Sequence, residues 1–361
     1  MTTILNERRR FMQAAGATGA IALAGCLGQF DSDDNGEDDG GDGEGLAEAA
    51  SVDVDAIAAD PTDVPPPVDW DEPRTHEVTL ESIEVTAEIE PGVTIDYMTY
   101  DGQIPGPMIR VREGDTVELT FEVPDEHNVD MHNVDLHAVY GPGGGAVATT
   151  LNPGDDPATI TFRADYPGVH IYHCAVPAMD QHISRGMVGA ILVEPEEGRP
   201  AVDRELYFGQ HEVYTNGEAG EEGHHTFDFD ASADEDPTYV LLNGEAYGYT
   251  EDGQHGPVHA ETDERIRIYL ANGGPNFTSA WHPIGNVWTN MYRDGDLVSD
   301  PARYVETTPV APGTVACAEI DTPVPGPVKL VDHALSRVVH RGLLAVIDVE
   351  GEPNPDVYDE G

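Results

Sequence analysis

The sequence predicts an all-β protein built from two tandem Greek-key sandwich or barrel domains, on three observations. First, short segments alternate apolar and polar residues, most clearly at His76–Leu80 and Val111–Val123. They are cut by turn signals at Asp101-Gly102, Pro105-Gly106-Pro107, Gly114-Asp115 and Gly141–Gly145. Second, glycine (39) and proline (28) are frequent, and no stretch longer than about two turns carries a clean helical apolar period. Third, the chain repeats itself. Val169–Ala175 aligns with Val328–Ala334, and Arg185–Glu194 with Arg341–Glu350, so one supersecondary pattern occurs twice.

In chain order, residues 1–27 carry Arg8-Arg9-Arg10 ahead of a short apolar run and read as a twin-arginine export signal. The run is shorter than the ~20 residues that a membrane span needs. Leu23-Ala24-Gly25-Cys26 resembles a lipobox, which would make Cys26 a lipidated N-terminus on the extracellular face of the membrane; the alternative is an ordinary thiol in a cleaved signal. Residues 28–74 read as an acidic disordered tether followed by an extended arm. Asp31–Gly45 has no apolar residue, and Pro65-Pro66-Pro67 stiffens the arm. Residues 75–196 are expected to form the first domain and 197–350 the second, with the boundary near Glu196–Arg204 and an acidic tail at 351–361.

Acidic residues outnumber basic ones 69 to 17, for a formal charge of −52, and Lys329 is the only lysine. That sign excludes a nucleic-acid partner, whose phosphates need basic surface. The acids run through every strand and turn rather than one tail. Such self-repulsion is tolerated where molar salt shortens the Debye length to roughly 3 Å. The composition therefore looks haloarchaeal.

Chemistry concentrates around Tyr172-His173-Cys174. His182 comes eight residues after Cys174, and Met187 five after His182. A thiolate, an imidazole and a thioether so spaced are loop ligands of a blue-copper (type 1) site, which takes a second histidine from elsewhere. Met131–His137 offers two, and His132 is assigned to this centre. The second copy of the repeat has Ala334 for Cys174 and Leu343 for Met187, so it should hold no such centre, yet it keeps His333 in the place of His173. Neighbouring side chains of a strand face opposite ways, so His173 can serve a different metal from Cys174. His137, His173 and His333 make a three-imidazole set with an open position. Zinc would accept that set; copper is preferred because a neighbouring redox centre is useful only to a redox metal. Asp135 and His282 are a candidate proton-donor pair beside it, or else a turn acid and a core histidine. Cys317 reads as a buried structural thiol.

These residues resemble the copper-containing nitrite reductases, over roughly Val78 to Glu350. The resemblance rests on Tyr-Asp-Gly-Gln-Ile-Pro-Gly-Pro at 100–107, His-Asn-Val-Asp-Leu-His at 132–137 and Tyr-His-Cys to Gly-Met at 172–187. In the second half it rests on Asn-Gly-Gly-Pro-Asn at 272–276, Trp-His-Pro-Ile-Gly at 281–285 and Val-Asp-His-Ala at 331–334. It implies two cupredoxin-like domains and two coppers per chain. His132, Cys174, His182 and Met187 match the family's type 1 ligands, and His137 and His173 match two type 2 ligands. His333 matches the third, which the family takes from a neighbouring subunit of a homotrimer. Asp135 and His282 match its catalytic acids, and Ile284 the residue shaping the pocket. The implied reaction is one-electron reduction of nitrite to nitric oxide and water, with the electron passing from type 1 to type 2 copper through Cys174-His173. A small blue-copper donor of halocyanin type is the implied partner. The eight-residue interval from Cys174 to His182 is similar to a short-loop group within the family. Competing readings are a two-domain multicopper oxidase, for which the chain lacks His-X-His pairs at a plausible site, and a pure electron-transfer cupredoxin, which would need neither His282 nor His333.

Overall fold

The computed structural model describes residues 45–359. The expected export signal, Cys26 and the tether up to residue 44 lie outside the described residues. The first half contributes β1 (Thr75–Glu90), β2 (Val93–Tyr100), β3 (Ile109–Arg112), β4 (Thr116–Glu122), β5 (Asp135–Leu136), β6 (Ala158–Arg163), β7 (Gly168–His173) and β8 (Val188–Glu194). The second contributes β9 (Arg204–Val213), β10 (Gly223–His225), β11 (Tyr239–Leu242), β12 (Val258–Glu261), β13 (Arg265–Gly274) and β14 (Ser279–Ile284). It continues with β15 (Trp288–Tyr292), β16 (Ala302–Val305), β17 (Thr308–Val310), β18 (Thr314–Asp321), β19 (Gly326–Asp332) and β20 (Ala345–Glu350).

The two halves repeat one pairing pattern. β1 lies between β2, antiparallel, and β4, parallel, and β4 pairs antiparallel with β6. In the same senses β9 lies between β11 and β13, and β13 pairs with β18. The opposing sheet runs β3-β8-β7-β5 in one half, and its counterpart contains β12-β20-β19-β14 in the other. The fold is all-β, in two copies, as the sequence repeat requires. The second half also adds β15 and β16 beyond β18 and β17 beside β14, and β10 crosses over to pair with β2 of the first half.

The β7–β8 pair is a middle layer. Tyr172, Ile191 and Val193 face the first core, against Leu119 and Phe121. Val169, Ile171, Ala190 and Leu192 face the other way, onto Tyr269, Ala271, Val315 and Cys317 of the second half. Hence β8 is buried at every position rather than alternating. Burying each valine, leucine or isoleucine among them contributes about 1.5–3 kcal/mol, so the strand beside the site-bearing β7 is fixed from both faces. The arm before β1 spans the same seam. Ala59 donates its N–H to Ile104 O at 2.8 Å, and Pro61 O accepts from Tyr207 N at 2.8 Å. Several of the few basic residues are also spent here. Buried Arg110 bonds Glu194 and Glu205, and buried Arg267 bonds Glu319 at 2.6 Å. Cys317 is fully buried in β18, 3.7 Å from an Arg199 nitrogen, as a structural thiol.

Candidate metal centres

The first donor set sits where β7 ends. The strand carries Cys174 into the core of the first half, where Met187 is also fully buried. The loop then turns through a short helix, Met179–Ser184, which presents His182 back to the sulfur. Its return is tied by Met187 N to His182 O at 3.1 Å and Cys174 N to Met187 O at 3.3 Å. His132 arrives from the segment before β5. Its Nδ1 lies 3.2 Å from His182 Nδ1, and Cys174 Sγ lies 3.6 Å from the same nitrogen. All three side chains are buried.

Burial sets the resting protonation of this cluster. It pushes the Cys174 thiol up to about 11 against hydrogen bonds from the Val176, Asn133 and Ala175 backbone. It also pulls His182 down to about 3, helped by His132 and Arg185. His132 Nε2 donates to the Glu84 carboxylate at 3.0 Å, so its Nδ1 is the bare lone pair aimed at the cluster. For Glu84, burial pushes the carboxyl up, but bonds from His132 and from the Asp130 and Val129 amides outweigh it and hold it below its ordinary value. Two imidazole nitrogens converging with a thiol form a donor set suited to a cation. A thiolate with two imidazoles and a buried thioether is soft enough to select copper.

The second set starts on the opposite side of the same strand. β5 and β7 place Asp135 directly across from His173, and His137 donates its backbone N–H to Ile171 O. The side-chain donor atoms of Asp135, His137 and His173 all fall within 4.8 Å of one another. Cys174 O accepts from His173 Nδ1 at 2.9 Å, and the Gly313 backbone bonds the His137 ring. Each ring is thereby left with a bare Nε2, and these two nitrogens face each other at 3.0 Å. Two lone pairs at that distance call for a proton or a metal between them. Burial, then the neighbouring His173, lowers the His137 pKa and works against the proton. Asp135 is aimed by the glycine-rich turn behind it. Gly144 has φ +55°, and a Cβ there would collide with Asp135 Oδ1 and come within 2.6 Å of Leu136 O.

The second half presents His333 elsewhere. Its N–H donates to Ala280 O at 2.7 Å, and its ring lies 5.4 Å from that of His282, centroid to centroid. His282 Nδ1 donates to Glu306 O at 2.6 Å. His333 and Ile284 are exposed. Asp332, fully buried, accepts from the amides of Ala280 and Ala334 and from Arg337, which fixes the strand end that carries His333. Among the described residues of one chain, then, His137, His173 and Asp135 form one cluster, and His282 and His333, with exposed Ile284 on the strand of His282, form another.

Three contributors escape sequence reading. Asn133 joins its Oδ1 to Ala175 N at 2.7 Å and so pins the cysteine loop. Glu84 orients His132, and Asp332 orients His333. Asn133 and Asp332 lie inside the motifs at 132–137 and 331–334, where the sequence alone gives them no role. For Glu84 the available signal is its pairing with Val85, matched by Glu212-Val213 in the second half.

Fold and donor sets together define a two-domain, cupredoxin-like copper oxidoreductase. A family profile described as "Multicopper oxidase" matches residues 82–198. Copper-containing nitrite reductase from Neisseria meningitidis serogroup B is 41% identical over 310 residues, covering 84% of this chain and 76% of that protein. Copper nitrite reductase from Nitrosomonas europaea aligns in structure with a TM-score of 0.68 and 32% identity, over 78% of this chain and 96% of that one. A multicopper oxidase structure aligns with a TM-score of 0.64 and 26% identity, over 76% and 89%. The chain belongs to the copper-containing nitrite reductases.

Proposed function

We propose that the chain reduces nitrite by one electron to nitric oxide and water, NO₂⁻ + 2H⁺ + e⁻ → NO + H₂O. The observation that carries this is the peptide bond joining Cys174 to His173, one residue in each donor set. His132, Cys174, His182 and Met187 would hold type 1 copper; His137, His173 and His333 would hold type 2 copper. When bound, copper supplies one-electron storage at the thiolate centre and charge stabilisation of the anion at the imidazole centre. Cys174 and His173 provide the covalent path between the two, shortened by the bond from His173 Nδ1 to Cys174 O.

Asp135 stands beside His137 and His173, where it would hydrogen-bond an oxygen of bound nitrite and deliver a proton as the N–O bond breaks. His282 keeps Nδ1 on Glu306 O, so Nε2 is the atom that gains and gives up the second proton. Exposed Ile284 would close the pocket over the substrate. What supports a homotrimer is that the cluster of Asp135, His137 and His173 holds two imidazoles and does not include His333: a copy that lays His333 and His282 of one chain against His137, His173 and Asp135 of the next completes the site. The acidic chain would repel its anionic substrate unless salt screens it, which favours a high-salt setting. Export through the twin-arginine signal, lipidation of Cys26 and a small blue-copper electron donor complete the proposal.

Replacing Asp135 with asparagine keeps the size and removes the proton. Both coppers should stay bound, while nitric oxide formation from nitrite, measured anaerobically with an artificial donor, falls on the order of 10²–10³-fold. An undiminished rate would take Asp135 out of the chemistry.

A further inference from the structure

We infer that Glu84 is a positioning residue of the thiolate centre, whose carboxylate, bonded to His132 Nε2, lowers the reduction potential of the metal held there. The inference rests on the copper assignment of His132, Cys174, His182 and Met187. Glu84 lies on β1, 48 residues before its partner, and one oxygen, Oε1, accepts three N–H groups at 3.0 Å: those of Val129, Asp130 and His132 Nε2. The histidine is wholly buried and the glutamate side chain only 12% exposed, so water competes little for the contact.

An anionic acceptor on the far nitrogen of a ligating imidazole does two things. It fixes the tautomer that turns Nδ1 to the metal, and it makes that nitrogen a stronger donor. A stronger donor favours the more highly charged Cu(II) over Cu(I), which moves the potential down.

The second half separates this role from simple bracing. Glu212 on β9 occupies the place that Glu84 holds on β1, between matching strand neighbours and likewise followed by a valine. It too clamps a backbone segment, accepting from Asn276 N at 2.9 Å and Phe277 N at 2.6 Å. Its remaining bond goes to the Tyr214 hydroxyl, not to an imidazole. The clamp is thus common to both halves, and the bond to a histidine occurs only in the half that keeps the thiol. Bracing alone predicts that the two carboxylates are interchangeable in effect; potential tuning predicts that they are not.

The test uses the copper-loaded full chain and monitors the thiolate–copper absorption during a redox titration. Glu84→Gln keeps an acceptor and drops the charge. It should retain the visible band and shift the Cu(I)/Cu(II) equilibrium about tenfold toward Cu(I), a rise of about 59 mV for one electron. Glu212→Gln, the matched control, should leave the potential where it was while lowering the melting temperature. If Glu84→Gln yields no folded protein, Glu84→Asp serves. One methylene shorter, it keeps a carboxylate on β1 but draws it back from His132 Nε2, and a smaller shift in the same upward direction is expected. A potential unchanged in the Glu84 variant, with only a loss of stability like that of Glu212→Gln, overturns the inference. A wild-type chain without any thiolate band would remove the copper assignment as well, so the two failures are told apart.

Discussion

Cys174→Ala abolishes the visible thiolate-to-copper absorption and takes nitrite reduction with it, while the imidazole centre keeps its metal. The expectation comes from where the sulfur lies. Cys174 is fully buried, the amide after it is bonded to Asn133, and His132 and His182 converge on it. Removing one sulfur atom from such a place costs about 1 kcal/mol of packing. The fold should tolerate it, because Ala334 already fills the corresponding place in the second half. Copper content should drop from about two per chain to about one, and turnover by at least ~10³-fold, since the electron entry is lost. Absorption spectra and copper analysis of the purified variant check both. A variant that remains coloured would contradict the ligand assignment.

His333→Ala should do the reverse. The side chain is exposed at the end of β19, and its strand is held by backbone bonds and by Asp332, so the change leaves both cores untouched. The type 1 colour should persist. The imidazole centre, deprived of one of three ligands, should lose its copper, and turnover should fall on the order of 10²–10³-fold. Electron paramagnetic resonance distinguishes the two coppers in one spectrum. Disappearance of the thiolate signal in this variant would place His333 in the wrong centre.

Much of this was legible in the sequence because its evidence is local. Cys174, His182 and Met187 fall in one loop, and a loop this short can only bring them together. His333 stands out in the sequence because a repeat compares two environments: the second copy drops the thiol and keeps the histidine. The β-rich class was readable from turn residues whose backbone needs are chemical facts.

What stayed hidden depends on contacts made at long range. Glu84 is one acid among 69, in a strand with four other glutamates, and nothing in the sequence sets it apart from them. Only the approach of His132, 48 positions later, turns it inward. The full burial of β8 was equally hidden, since it requires the second half to cover a face that one domain alone would expose. Gly144 reads as an ordinary turn glycine until the fold packs Asp135 against it.

In the proposed homotrimer the imidazole centre is built between chains, with His137 and His173 from one copy and His333 from the next. His137→Ala and His333→Ala subunits, each inactive alone, can be co-expressed and assayed for nitric oxide formation. In mixed trimers a site is intact where a chain retaining His137 meets one retaining His333, so random assembly should restore about a quarter of the wild-type rate. A mixture as inactive as its parents would contradict the account.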